Sequence, residues 1–344
     1  MALDESIHGL SEYKSFRYTF TFSTIIAMLP MFYMTPTIWV MLRVVRTYLT
    51  SRSQAMDRHI FTCIALNFLC SVMFFLFDYL RLSLPATGVF TSWCASVQPN
   101  HWFKMIFFFT FYFNYCTLLL PFFLCLIRLT ILLRPRDNAY VTVSLQVSRK
   151  PSKLIQICPK IMWVALPLLF AIPLMCTAFM LPALGYCRSM GAPLRFGAVY
   201  IYYSGGWSGW RNSYIHLVMS VLMCILTLTG TIIMLLRLKK VTSTAQTTSL
   251  KTRKASTRAE NSLTITMISS MVPFLNNTIL TVVYLTFPDY VYYLMIFRPF
   301  GNDLETVMSP WILYLTHPMF QTSHRKISAT STISVIPLRS SAMS

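Results

Sequence analysis

Apolar runs of roughly twenty residues recur from near residue 20 to near residue 316 of this 344-residue chain. Each is long enough to cross ~30 Å of hydrocarbon as a helix. Inside lipid the backbone N–H and C=O groups find no water, so a lone spanning segment has to bond them to itself. The helix is the conformation that does this. The runs are Phe20–Leu42, Ile60–Leu82, Trp102–Leu132, Cys158–Leu181, Tyr214–Leu236 and Ser262–Phe287, with a last run ending near Thr316. The last run starts either near Tyr290 or near Pro299, because Arg298, Asp303 and Glu305 interrupt it. The expected fold is an all-α membrane protein, a seven-transmembrane helix bundle, with its membrane domain over residues 20–320.

Hydrophobic residues make up 55% of the chain and charged residues 11%, proportions that a soluble core could not hide. The net charge of +19 would suggest nucleic acid in a soluble protein. Here, however, the basic residues sit in the short connections between apolar runs, so no nucleic-acid partner is expected. Counting along the chain, 20 basic residues fall in the odd connections and the tail, and 5 in the amino terminus and the even connections. That bias predicts an extracellular amino terminus (residues 1–19) and a cytoplasmic tail (321–344) rich in Ser and Thr, composed like a disordered segment. The first run is too long for a signal peptide and lacks a small-residue cleavage site, so it is expected to remain as a span.

Orientation singles out particular residues. Of nine cysteines, seven lie in or at the ends of apolar runs, while Cys94 and Cys187 lie in outer connections. An oxidising compartment favours a bridge between these two; two unpaired thiols are the alternative. In the spans, Asp78 and Arg81 stand at i and i+3 and either pair locally or meet a ligand. Asp303 and Glu305 in the last span, and the amide of Asn114 in the third, join them as ligand-binding candidates; amides at this depth also serve to hold helices together.

At the inner end of the third span Arg128 precedes Pro135 by seven residues. This arginine either acts in a switch or snorkels to the inner headgroups. The connection from Arg237 to Asn261 is basic and rich in Ser and Thr. It suits an intracellular partner or the surface of anionic membrane lipids, and Ser256 after Arg253-Lys254-Ala255 is a candidate phosphorylation site. The six histidines show no pair at metal-ligand spacing and the ten glycines no phosphate-cradling loop, so no enzyme, metal or cofactor is expected.

Ser6-Ile7-His8-Gly9, the stretch from Asn114-Tyr115 to Leu129, and above all FRPFGNDLETVMSPWILYLTHPMF (Phe297 to Phe320) resemble the nematode serpentine chemoreceptors of class U, within the larger gamma-class group. The resemblance runs nearly end to end. It implies a seven-helix G-protein-coupled receptor in the plasma membrane of sensory neurons, which binds a small molecule in the outer half of the bundle and signals to a heterotrimeric G protein. The terminal signature carried over is Pro299, Gly301, Asn302, Asp303, Glu305, Pro310, Trp311, His317 and Pro318. Rhodopsin-type receptors place an acidic residue before the switch arginine; here Ile127 stands there. A transporter or a channel subunit is the alternative class, but related halves and a polar pore stripe are both missing from the sequence.

Overall fold

The computed structural model describes residues 6–50, 57–133, 157–207, 212–244, 262–269, 271–287 and 290–320. Long helices account for most of them: α1 (Phe22–Thr50), α2 (Arg58–Asp78), α3 (His101–Leu133), α4 (Ile157–Thr177), α5 (Asn212–Thr244), α6 (Met271–Thr286, preceded by helical residues 262–269) and α7 (Val291–Thr316). Six of these segments, all but α7, are long and apolar enough to cross a membrane. The α7 helix is 26 residues long and carries Arg298, Asp303 and Glu305, with Pro299 and Pro310 inside it. Of the two starts left open by the sequence, the structure selects the one near Tyr290, which caps the helix.

Large apolar side chains such as Phe32, Trp39, Trp102, Trp163 and Met175 point outward and are well exposed, as a lipid-facing surface requires. The centre is α3, where Tyr115, Cys116, Leu118, Leu119 and Leu120 are fully buried. It packs against α2, α4 and α5, while α7 packs against α1, α2 and α6. The start of α2 is fixed by Asp57, whose carboxylate accepts from the backbone N–H of His59 at 2.8 Å and Ile60 at 3.3 Å. These are donors that the first turn of a helix leaves unsatisfied. At its other end α2 continues into a π-helical turn, Tyr79–Ser83.

The helical bundle carries one β element that hydropathy did not reveal. The connection after α4 is a β-hairpin in which β1 (Leu184–Ser189) pairs antiparallel with β2 (Val199–Ser204), setting Cys187 opposite Ile201. Aromatic and β-branched residues in Val-Tyr-Ile-Tyr-Tyr favour the strand. Clean alternation is missing because three consecutive residues are buried at the start of β2, on both of its faces.

The hairpin is tied down on several sides. Gly185 and Asn100 exchange backbone hydrogen bonds of 2.9 and 3.1 Å. A Cβ on Gly185 would run into the backbone of Phe103 and Lys104, so only glycine permits this approach. Cys187 is disulfide-bonded to Cys94, with 5.9 Å between their Cα atoms. Above this bridge the amino-terminal segment adds a further layer: the Ile7 N–H donates to the Cys187 carbonyl at 3.1 Å and the Gly9 N–H to that of Ala95 at 3.0 Å. The Ile7 side chain is buried among Cys94, Cys187, Val199 and Ile201. One end of the bundle is thereby closed by a stapled lid.

Candidate functional site

Beneath the lid, polar and charged side chains from most of the helices meet. Asp78, at the last turn of α2, accepts through Oδ1 from Arg81 Nη2 at 2.8 Å and Nε at 3.3 Å. The same oxygen accepts from Arg298 Nη1 of α7 at 3.1 Å. The local pairing that was one of the two readings of Asp78 and Arg81 is present, but as part of a triad whose third member, Arg298, sequence reasoning missed. Arg81 is further held against Phe107 and Phe111 of α3, with its guanidinium carbon 5.2 and 5.4 Å from the two ring centres. Side-chain exposure separates the three: Arg81 at 6% and Asp78 at 8% are sealed, whereas Arg298 keeps 20%.

A second network crosses α3, α5 and α6. Asn114 Nδ2 lies 2.9 Å from His216 Nε2, and His216 Nδ1 lies 3.2 Å from the Thr281 hydroxyl. Since Asn114 Nδ2 can only donate, His216 Nε2 accepts and Nδ1 carries the ring proton. The next residue on α3, Tyr115, donates to Asn212 Oδ1 at 3.0 Å. The charge of Arg298 reaches Asp78, His216 and Asp303. From above, the hairpin contributes Tyr200 and Tyr202, whose phenols burial pushes above the ordinary tyrosine range, leaving them as neutral donors.

The other candidates are placed elsewhere. Asp303 faces α1, where the Tyr33 hydroxyl donates to it. One face further along, Trp311 Nε1 donates to the Thr37 hydroxyl of α1 at 3.1 Å. Asp303 thus binds α7 to α1 and does not join the Asp78 triad. The Glu305 side chain, Pro135 and Ser256 lie outside the described residues. At the end of the bundle opposite the hairpin, Arg128 is 2% exposed. It donates to Met267 Sδ at 3.0 Å and to the Thr264 hydroxyl at 3.3 Å, both ahead of α6 proper. An inward arginine tied to the sixth span replaces the snorkelling arrangement.

Sequence reasoning passed over Arg298, His216 and Tyr33. Arg298 and His216 were visible as ionisable residues inside apolar runs, which is a signal for function or pairing. Tyr33 gave none, since an aromatic residue in a span is ordinary.

The model of the family described as "Serpentine type 7TM GPCR chemoreceptor Sru" matches residues 7–323. The chain belongs to this family. It is 29% identical over 278 residues to Serpentine receptor class U-26 of Caenorhabditis elegans, a match covering 80% of this chain and 89% of that one. In fold it is similar to squid rhodopsin, with a TM-score of 0.60 at 12% identity, covering 94% of this chain and 86% of that one. This Sru receptor is a multi-pass membrane protein, and the expectations of a serpentine chemoreceptor and a seven-helix receptor fold hold. The family match runs through the lid, the charged triad and the Arg128 contact alike.

Proposed function

We propose that this Sru receptor binds an extracellular small molecule beneath the hairpin and signals to a heterotrimeric G protein at the opposite end of the bundle, in the plasma membrane of sensory neurons. The observation that carries this reading is the meeting of α2, α3, α5, α6 and α7 through polar side chains under a stapled lid. A ligand there touches several helices at once and stabilises whichever arrangement of them it fits better. The Cys94–Cys187 bridge suits an oxidising exterior at the hairpin end, and the basic connections suit a cytoplasm at the other. The contact of Arg128 with Thr264 and Met267 joins α3 to the sixth span where a G protein would dock. No catalytic role is assigned to any residue.

The test is guanine-nucleotide exchange on a panel of Gα subunits, with the receptor in vesicles and candidate small molecules added. Ligand-dependent exchange by at least one Gα is expected, and Arg128→Ala is expected to abolish it with surface delivery intact. Normal signalling by Arg128→Ala would remove the switch role. Substrate flux in the same vesicles with every Gα silent would replace the receptor reading by a transporter.

A further inference from the structure

We propose that Arg298 is the recognition point for an anionic ligand group and that the ligand is a small carboxylate carrying a hydroxyl. The inference rests on the ligand-binding reading above and narrows it to a chemical class. Asp78 is already paired by Arg81, which places two of its nitrogens on Oδ1. Arg298 adds a single Nη1 contact to the same oxygen and is the one member of the triad with appreciable exposure. A guanidinium has five N–H donors in a fork that matches a carboxylate. An incoming carboxylate can therefore take Arg298 and leave Asp78 with Arg81, so that each charge ends with one opposite charge. A dianionic phosphate would leave an excess negative charge among the same groups, which a poorly hydrated interior disfavours.

A second observation concerns the same face of α7. Asn302 follows Arg298 by four residues and so lies one turn deeper on the same face of α7. It is 2% exposed, and among the described residues neither its Oδ1 nor its Nδ2 meets a hydrogen-bond partner. Across the bundle, Asn114 spends Nδ2 on His216, while its buried Oδ1 likewise meets no partner among the described residues. Buried amide groups left in this state are costly. A hydroxyl on the ligand donates to one such oxygen and accepts from the Asn302 amide, while the acid group meets Arg298.

The charge of Arg298 also reaches Asp303, but no hydrogen bond joins the two among the described residues. At ~100° per residue Asp303 is turned about 140° from Arg298 around α7. There Tyr33 of α1 donates to it. A cationic ligand directed at Asp303 would be a different site, and the experiment separates the two.

Purified full-length receptor in nanodiscs is melted with β-hydroxybutyrate and its longer homologues, with their methyl esters, and with the matching primary amines. The free acids are expected to raise the melting temperature saturably, and the esters and amines not to. Arg298→Gln should weaken the apparent affinity at least tenfold, equivalent to about 1.4 kcal/mol. Asn302→Ala should weaken it less and keep the preference for acid over ester. Arg298→Lys retains the charge and guards against misfolding of the glutamine variant; it should give an intermediate affinity with the same preference. Equal stabilisation by the esters, stabilisation by the amines alone, an undiminished response in Arg298→Gln, or no response to any acid would each overturn the proposal. The melt involves no G protein, so failure here is distinguishable from failure of the exchange assay.

Discussion

Replacing Asp78 with asparagine removes one negative charge while keeping the shape and an acceptor oxygen for Arg81 and Arg298. Asp78 and Arg81 are almost sealed from solvent, so the change leaves the sealed Arg81 and the partly exposed Arg298 without their shared counter-charge. Losing one partner of a buried pair costs about 3–5 kcal/mol. Two features place this case at the low end. The asparagine oxygen still accepts a hydrogen bond, and the rings of Phe107 and Phe111 continue to hold the guanidinium, at ~0.5–2 kcal/mol for such contacts. The expected loss is about 3 kcal/mol, or roughly 6 °C in melting temperature at ~2 °C per kcal/mol for a large domain. The assay is a thermal melt of purified receptor without ligand, with Asp78→Asn/Arg81→Met measured beside the single variant. Methionine fills the space between the two rings without a charge, so the double variant should recover more than half of the loss. A single variant melting within 1 °C of the wild type, or a double variant less stable than the single, would refute the account of Asp78 as the counter-charge.

Other perturbations test other parts of the structure. Cys94→Ser opens a bridge between residues 93 apart, a chain-entropy loss of about 4–5 kcal/mol, and should sharply reduce receptor at the cell surface by flow cytometry. Gly185→Ala forces a methyl group against the backbone of Phe103 and Lys104 and should cost about 1–3 kcal/mol, seen as a lower melting temperature, with partial rescue of surface delivery at low growth temperature. Asn114→Leu and His216→Leu should be non-additive, since either breaks the same contact; a double-mutant cycle on melting should give a coupling of about 0.5–3 kcal/mol. Thr264→Val loses one acceptor for the buried Arg128 guanidinium, a hydrogen bond of ~1.5–3 kcal/mol, and should raise ligand-free nucleotide exchange several-fold. Unchanged basal exchange would show that this bond does not hold the resting arrangement.

Much of the fold was legible because each span satisfies its own backbone, and hydropathy reads that requirement one segment at a time. The spacing of Cys94 and Cys187 around the third and fourth spans was readable for a similar reason, since compartment restricts which thiols can pair. The hairpin was hidden by its setting. Tyr200 and Ile201 are buried on opposite faces, one toward the bundle and one toward the Ile7 layer, so β2 lacks the one-sided pattern by which a strand is recognised. The site was half legible. Asp78 and Arg81 stand one turn apart and announce their pairing, but Arg298 comes to Asp78 from 220 residues away and Tyr33 to Asp303 from 270.

These long-range partners also explain why the last helix is the poorest by hydropathy and still belongs in the bundle. A charge facing lipid costs several kcal/mol, and a score computed on α7 alone assigns that cost in full to Arg298 and Asp303. In the folded chain Arg298 is spent on α2 and Asp303 on α1, while Gly301 lets the Asn276 amide of α6 come so close that a methyl group would collide with it. The groups that weaken α7 as an isolated span are the ones that fix its rotation against three neighbours. On the binding mode proposed above, a ligand that competes for one of these contacts would shift the arrangement of α7, and Arg298, the most exposed member of the triad, is the contact it would meet.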